Sequence, residues 1–220
     1  MASDAELPWD ATVFLPTQLD LDRLRSAAAG CEACDLYRTG TQTVFGAGLS
    51  QADVMFIGEQ PGDQEDRAGQ PFVGPAGRVL DEGLEEVGID RTNVYVTNVV
   101  KHFKWVARGK RRIHSKPNAR EIRACLPWLN AELAVVKPKV IVLLGATAAQ
   151  ALLGSTFRVT QQRGKPISGS KLAQFVVATV HPASILRAPD DESRAAEGRA
   201  FIDDLRVVRK LLDQPAGGPQ

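Results

Sequence analysis

The reactive side chains of this sequence gather in one stretch, Lys101 to Cys125. It holds two of the three histidines, His102 and His114, one of the three cysteines, and nine Lys or Arg residues against a single acid, Glu121. The whole chain carries 27 basic and 26 acidic residues. The stretch is therefore a local cationic patch suited to an anion, or, in the plainer reading, a solvated face. Phe103, Trp105 and Ile113 are interleaved with the bases, and cations mixed with aromatics suit phosphates and unstacked nucleobases. Cys31 and Cys34 form a lone C-x-x-C pair. Its spacing fits part of a metal site or two half-buried thiols at a helix end.

A second set of polar residues sits where apolar runs stop. Four runs are suited to buried strands: Asp53 to Ile57, Asn93 to Val100, Lys139 to Leu144, and Gln174 to Val180. Helical periodicity covers Leu19 to Ala29, Ala76 to Val87, the ATAAQALL segment after Gly145, and Ser193 to Leu212. A further helix starts at Pro117 and Asn118, with Asn118 as N-cap and Glu121 completing a capping box; Ile122, Leu126, Leu129 and Leu133 form its apolar face, with Cys125 nearby. The alternation predicts a three-layer α/β/α sandwich around a mainly parallel, four-stranded sheet. Ligands gather at the carboxyl ends of such strands, and here those ends carry Glu59, Asn98, Gly145 and His181. Taken singly, Glu59 also reads as a solvated loop acid, Asn98 as a turn former and His181 as a satisfied loop histidine. The Gly58 to Gly77 connection, with five glycines and three prolines, is a shaped loop whose backbone approaches something closely.

Several functions are excluded or disfavoured. No G-x-G-x-x-G follows the first strand, and neither a G-x-x-x-x-G-K-[ST] loop nor a G-x-S-x-G elbow occurs, so the common nucleotide-binding and hydrolase readings lack support. An odd cysteine count does not suggest a disulfide framework. Composition is ordinary for a globular protein, with 44% hydrophobic and 24% charged residues and no apolar run long enough for a bilayer. Acids stand where a secretory signal would carry bases, so a cytoplasmic location is expected, with no membrane partner. The expected organisation is an extended arm over residues 1–18, one domain over 19–213 and a flexible tail over 214–220.

Six segments together resemble the iron–sulfur, family 4 uracil-DNA glycosylases, and most closely their UdgX class. They are C-x-x-C (Cys31, Cys34), GEQPGDQED (Gly58 to Asp66), GQPFVGPAG (Gly69 to Gly77), TNVVK (Thr97 to Lys101), KRRIH (Lys110 to His114) and HPASILR (His181 to Arg187). The resemblance runs from about Cys31 to Leu212 and implies a uracil-DNA glycosylase fold and an enzyme acting as a monomer on uracil-containing DNA, single-stranded and also double-stranded, located on the nucleoid when bound. It implies Gly58, Glu59 and Gln60 at the active-site rim, Phe72 stacking on the flipped base, Asn98 reading the uracil edge and His181 stabilising the leaving group. Ser184 and Arg187 belong to the loop that enters the minor groove, and Lys110, Arg111 and Arg112 hold phosphates.

The sequence departs from the family pattern at two points. Three cysteines are present where the family has four, and His102 stands just after TNVVK in place of the missing one. A [4Fe–4S] cluster held by Cys31, Cys34, Cys125 and His102 is therefore expected, with Zn2+ bound as Cys3His the competing reading. The loop between His102 and Cys125 is also longer than the family norm, and in the UdgX class the histidine of KRRIH becomes joined to the sugar after uracil leaves. His114 is the matching residue, expected at the tip of that loop as the nucleophile; a turnover glycosylase whose basic loop only grips phosphate, or a non-catalytic nucleic-acid-binding module with a structural metal, is the alternative reading.

Overall fold

A computed structural model describes residues 7–215. In chain order its strands are β1 (Ala47–Gly48), β2 (Val54–Gly58), β3 (Val94–Asn98), β4 (Trp105–Arg108), β5 (Arg111–His114), β6 (Val140–Leu144), β7 (Ile167–Ser168) and β8 (Phe175–Thr179). The helices are α1 (Leu21–Ala28), α2 (Asp63–Ala68), α3 (Pro75–Glu86), α4 (Ala119–Val136), α5 (Ala146–Leu153), α6 (Val159–Gln162), α7 (Pro182–Leu186) and α8 (Asp191–Leu212).

The four expected strands form the parallel centre β3-β2-β6-β8. Two further strands, β1 beside β3 and β7 beside β8, add antiparallel edges, so the sheet is six-stranded and mixed. Each edge is only two residues long, too short to leave an alternating pattern. Along the central strands successive side chains face opposite layers, as strand geometry requires. Met55, Ile57, Tyr95, Ile141 and Leu143 pack with Leu24 of α1, Trp128 of α4 and Ala148 of α5. Val54, Phe56, Val96, Val142 and Leu144 pack with Leu80 of α3 and Phe201 and Leu205 of α8. Three layers result. None of the described helices is long and apolar enough to cross a membrane.

Three local readings change. The stretch after His102 is a β-hairpin: β4 and β5 pair through a two-residue loop, Gly109 and Lys110, with Gly109 at φ +61°, as the first position of a type II′ turn requires. Residues 58–77 contain α2, whose Glu65 accepts from the Gly62 and Gly74 amides and so ties the two ends of the connection together. Near the N-terminus, Ala11–Phe14 is a 3-10 turn against α4, and Trp9 lies under the Arg120 guanidinium, 3.7 Å from its carbon to the ring centre. The rest of the expected arm, residues 1–6, and residues 216–220 of the expected tail lie outside the described residues.

Helix α4 begins at Asn118 with the expected capping box, but its buried face is rotated from the expected one. Cys125, Trp128, Leu129 and Glu132 are inside, whereas Ile122, Leu126 and Leu133 are only partly covered. The reason is Glu132, which no apolar pattern would place in a core. Its carboxylate meets Lys101 Nζ at 2.5 Å, with the two side chains 0% and 1% exposed. Glu132 also accepts from the Tyr95 hydroxyl at 2.9 Å, the Gly46 amide at 3.0 Å and the Thr97 hydroxyl at 2.9 Å. Lys101 donates further to Thr97 Oγ1 and the Asn98 carbonyl, both at 2.7 Å. Removing one partner of such a pair strands a buried charge. Lys101→Met is expected to destabilise the fold by about 3–5 kcal/mol, measured as a shift of the urea midpoint; a shift typical of a surface substitution would show that Glu132 finds other support.

Candidate active site

The parallel strands deliver their polar residues to one cleft. Gly58 at the end of β2 pairs in register with Asn98 at the end of β3. A Cβ on Gly58 would stand 2.3 Å from Asn98 Oδ1 and 2.9 Å from Phe72 Cζ, so only glycine leaves room for the amide and the ring together. Asn98 is 2% exposed, yet among the described residues its side-chain amide has no hydrogen-bond partner. An amide at the cleft without a protein partner is suited to a ligand edge that both donates and accepts. Phe72 has φ +57°, a left-handed conformation uncommon for an aromatic residue, and its ring stacks on His181 at 6.2 Å and 23°. Gly77, in the first turn of α3, accommodates the Phe72 carbonyl, which would lie 1.8 Å from a Cβ there. A flat ligand entering the cleft therefore meets an aromatic face to stack on and an amide to read its edge.

His181 follows β8 and caps α7. The Ala183 amide donates to its Nδ1 at 3.1 Å, which puts the proton of a neutral ring on Nε2. Burial of most of the ring pushes its pKa down from 6.5 to about 4, against the pull of the Glu59 charge. His181 is thus a neutral donor. Ser184 turns inward, its hydroxyl donating to the His181 carbonyl at 2.7 Å, while Arg187 is exposed just past α7.

Glu59, one residue beyond β2, has one carboxylate oxygen against the Thr147 hydroxyl of α5 and the other 3.3 Å from His114 Nε2. Burial raises the Glu59 pKa, but hydrogen bonds from His114 and Thr147 and the nearby imidazoles outweigh it, and the net shift is downward. Glu59 is held as a carboxylate facing an imidazole.

His114 is not at the loop tip. It ends β5, opposite Trp105, at the base of the hairpin, and two clamps hold that base. Gln60 Nε2 donates to the carbonyls of Lys104 and Ser115 at 3.1 and 3.2 Å, and its Oε1 accepts from the Lys104 amide at 3.2 Å. Its side chain is used on the hairpin backbone, not on the cleft. Arg112, expected to grip phosphate, instead meets Asp63 at 2.5 Å and Asp66 at 2.6 Å and lies over the Phe103 and Trp105 rings. It is 15% exposed and already neutralised. Lys110 and Arg111 are exposed, and among the described residues they make no ion pair or side-chain hydrogen bond. Lys104, too, is taken, by Glu121 at 2.9 Å.

Beside the first half of α4 the chain brings Cys31, Cys34, Cys125 and His102 into one buried region, each no more than 7% exposed. All three thiols are unpaired. Burial pushes Cys34 up to about 11 and Cys125 to about 12, and it pushes His102 down to about 4. The Trp128 indole donates to Cys31 Sγ and the Lys101 amide to Cys125 Sγ, each at 3.2 Å. Soft sulfur donors, N–H groups aimed at sulfur and a neutral imidazole form a donor set that fits an iron–sulfur group. Among the described residues no three His, Cys, Asp or Glu side chains converge tightly enough for a single metal ion.

Reading the sequence alone missed Thr147, the two acids of α2 that hold Arg112, and the Lys101–Glu132 pair. Only the acids left a signal, as Asp63 and Asp66 inside the GEQPGDQED segment.

A description of the uracil DNA glycosylase superfamily matches residues 45–206. The chain is 37% identical over 185 residues to the Type-4 uracil-DNA glycosylase of Thermotoga maritima, covering 83% of this chain and 89% of that one. It is 36% identical over 178 residues to the Type-4 uracil-DNA glycosylase of Pyrobaculum aerophilum, covering 78% and 87%. With the Type-4 enzyme of Sulfurisphaera tokodaii the identity is 32% over 207 residues, covering 90% and 91%.

Proposed function

The chain belongs to the uracil-DNA glycosylase superfamily, and on that premise we propose a uracil-DNA glycosylase that ends its reaction covalently joined, through His114, to the deoxyribose C1′ of the abasic site. One observation carries the covalent step: a clamped hairpin places an imidazole 3.3 Å from the carboxylate at the mouth of the base pocket.

The reaction follows from the side chains. A uridine turned out of the strand slides its ring against Phe72, and Asn98 reads its edge with one donor and one acceptor. A pocket fitted closely to uracil would reject by shape the methyl group that distinguishes thymine. As the C1′–N1 bond breaks, its electron pair leaves with uracil and positive charge grows on the sugar. His181 Nε2–H serves the developing uracil oxyanion, and the Glu59 carboxylate faces the sugar. The unprotonated nitrogen of His114 then forms an N–C1′ bond, and the remaining N–H of the imidazolium has Glu59 as its acceptor. Held in place, this imidazole competes with water at a high effective concentration. Resemblance to the UdgX class through KRRIH supports the same reading.

For the thiol site we propose a [4Fe–4S] cluster held by Cys31, Cys34, Cys125 and His102. The soft sulfur donors with N–H groups aimed at them, together with the family resemblance, favour it over one Zn2+ bound as Cys3His. When bound, such a cluster supplies electron-transfer capacity and cross-links the C-x-x-C segment to α4 and the end of β3.

Three outcomes are expected. Uracil-containing single-stranded DNA should give a slowly migrating, heat-resistant band on a denaturing gel with the wild type and none with His114→Ala, which should instead release uracil with turnover; an adduct from His114→Ala would remove His114 from the role. In that variant, single-turnover excision should persist as pH falls through 6.5 and decline only toward about 4, because below its lowered pKa His181 takes a proton on Nδ1 and loses the Ala183 hydrogen bond that orients its Nε2–H toward the uracil; a decline centred on 6.5 would contradict the assignment. Purified protein should be coloured and bleached by dithionite, whereas a colourless protein with stoichiometric zinc would overturn the cluster.

A further inference from the structure

The β4–β5 hairpin has two faces, and the reaction uses only one. Its ladder pairs Trp105 with His114, Val106 with Ile113, Ala107 with Arg112 and Arg108 with Arg111. Side chains alternate across a ribbon, so Trp105, His114, Ala107 and Arg112 share the face turned to α2 and Glu59. Val106, Ile113, Arg108 and Arg111 share the other. On that face the cross-strand apolar pair stays open to solvent, with Val106 55% and Ile113 39% exposed. Arg108 and Arg111 flank the pair toward the turn, where Lys110 adds a third cation. Among the described residues none of these three cations has an ion-pair or side-chain hydrogen-bond partner. In contrast, the cations on the inner side, Arg112 and Lys104, are already neutralised by acids.

An apolar pair rimmed by free arginines suits a partner that offers flat apolar surfaces and regularly spaced negative charge at once. We infer that the outer face of the hairpin is a docking strip for the single-stranded DNA flanking the uridine, with unstacked bases packing on Val106 and Ile113 and phosphates on Arg108 and Arg111. A duplex turns its base faces inward, so only an unpaired strand can use the apolar pair. The position is right for a flank: Val106 and Ile113 stand one residue, ~3.3 Å along the ribbon, from the pair containing His114, which borders the cleft. The strip would then select single-stranded substrate before any chemistry occurs. This inference rests on DNA as the substrate and adds where the rest of the strand lies.

The test uses the full chain and two sets of variants. All four positions are exposed, so thermal unfolding of the variants should match the wild type. Val106→Ser/Ile113→Ser should weaken binding of a short uracil-free single strand by about tenfold, with little change in its salt dependence. Duplex binding and the single-turnover excision rate at saturating single-stranded DNA should stay as in the wild type. Arg108→Gln/Arg111→Gln should reduce the slope of log affinity against log salt for the single strand by about 1.4, about 0.7 for each phosphate left without its arginine. Unchanged single-strand affinity in the serine variant would overturn the inference, and so would equal weakening for single strand and duplex, which would mean a plain phosphate grip. Uracil release by the wild type is read in the same experiments: its absence would sink the proposed activity, while the uracil-free strand still reports on the strip.

Discussion

Lys101 and Glu132 are almost completely withdrawn from solvent, and a charge in that position is tolerated only when its partner and its remaining hydrogen bonds are all in place. Here they are. Tyr95, Thr97, Gly46 and the Asn98 carbonyl complete the shell, so the pair ties β3 to α4 through the ends of both side chains. Two functional regions hang on it. On one side Lys101 Nζ holds the backbone of Asn98, the residue proposed to read the base. On the other side the Lys101 amide donates to Cys125 Sγ, and His102 follows directly in the chain. The base pocket and the thiol site are thus two faces of one short segment, with no hinge between them.

The same economy shapes the cationic stretch. Nine bases in twenty-five residues suggest a broad positive surface, but Lys101, Lys104 and Arg112 are each neutralised by an acid within 2.9 Å. Arg112 is placed to do this because its planar guanidinium can meet Asp63 and Asp66 together while lying over two rings, which a lysine could not do. What remains cationic is confined to the outer face and turn of the hairpin and to the start of α4. Charge that looked uniform in the sequence is therefore divided by β-strand alternation into structural and exposed halves.

How far the sequence could be read follows from the range of the interactions involved. The central strands are buried on both faces and read as continuous apolar runs, so the layer order and the cleft at their ends were legible. So was the capping of α4, since Asn118 and Glu121 meet within three residues. Two-residue edge strands leave no periodicity, and α2 is too short and too acidic to show one. The hairpin was hidden because its inner face mixes an arginine with a histidine and its outer face mixes valine and isoleucine with arginines; Gly109 followed by Lys110 between two four-residue runs was the available clue. Partners far apart in sequence were invisible. Glu132 lies 31 residues from Lys101, and Thr147 lies 88 from Glu59. No local pattern marks a residue whose role is set by a contact at that distance.

Under the proposed reaction, the arrangement would let a base-excising fold acquire a nucleophile without rebuilding its pocket. Gly58, Phe72, Asn98 and His181 are positioned by the sheet and by α3 and α7, and none of them depends on the hairpin. The hairpin touches the cleft only through His114, and it is anchored outside the cleft by Gln60 and Arg112. Its position is thus fixed by contacts that neither read nor stack the base. Glu59 is the one group that serves both parts, because its second oxygen belongs to Thr147 of the core and its first faces the imidazole. A water molecule at that first oxygen would have to be oriented anew in each cycle, whereas an imidazole fixed there arrives with its orientation already set. In the proposed reaction, the carboxylate that could otherwise orient water toward the sugar would instead orient the His114 imidazole.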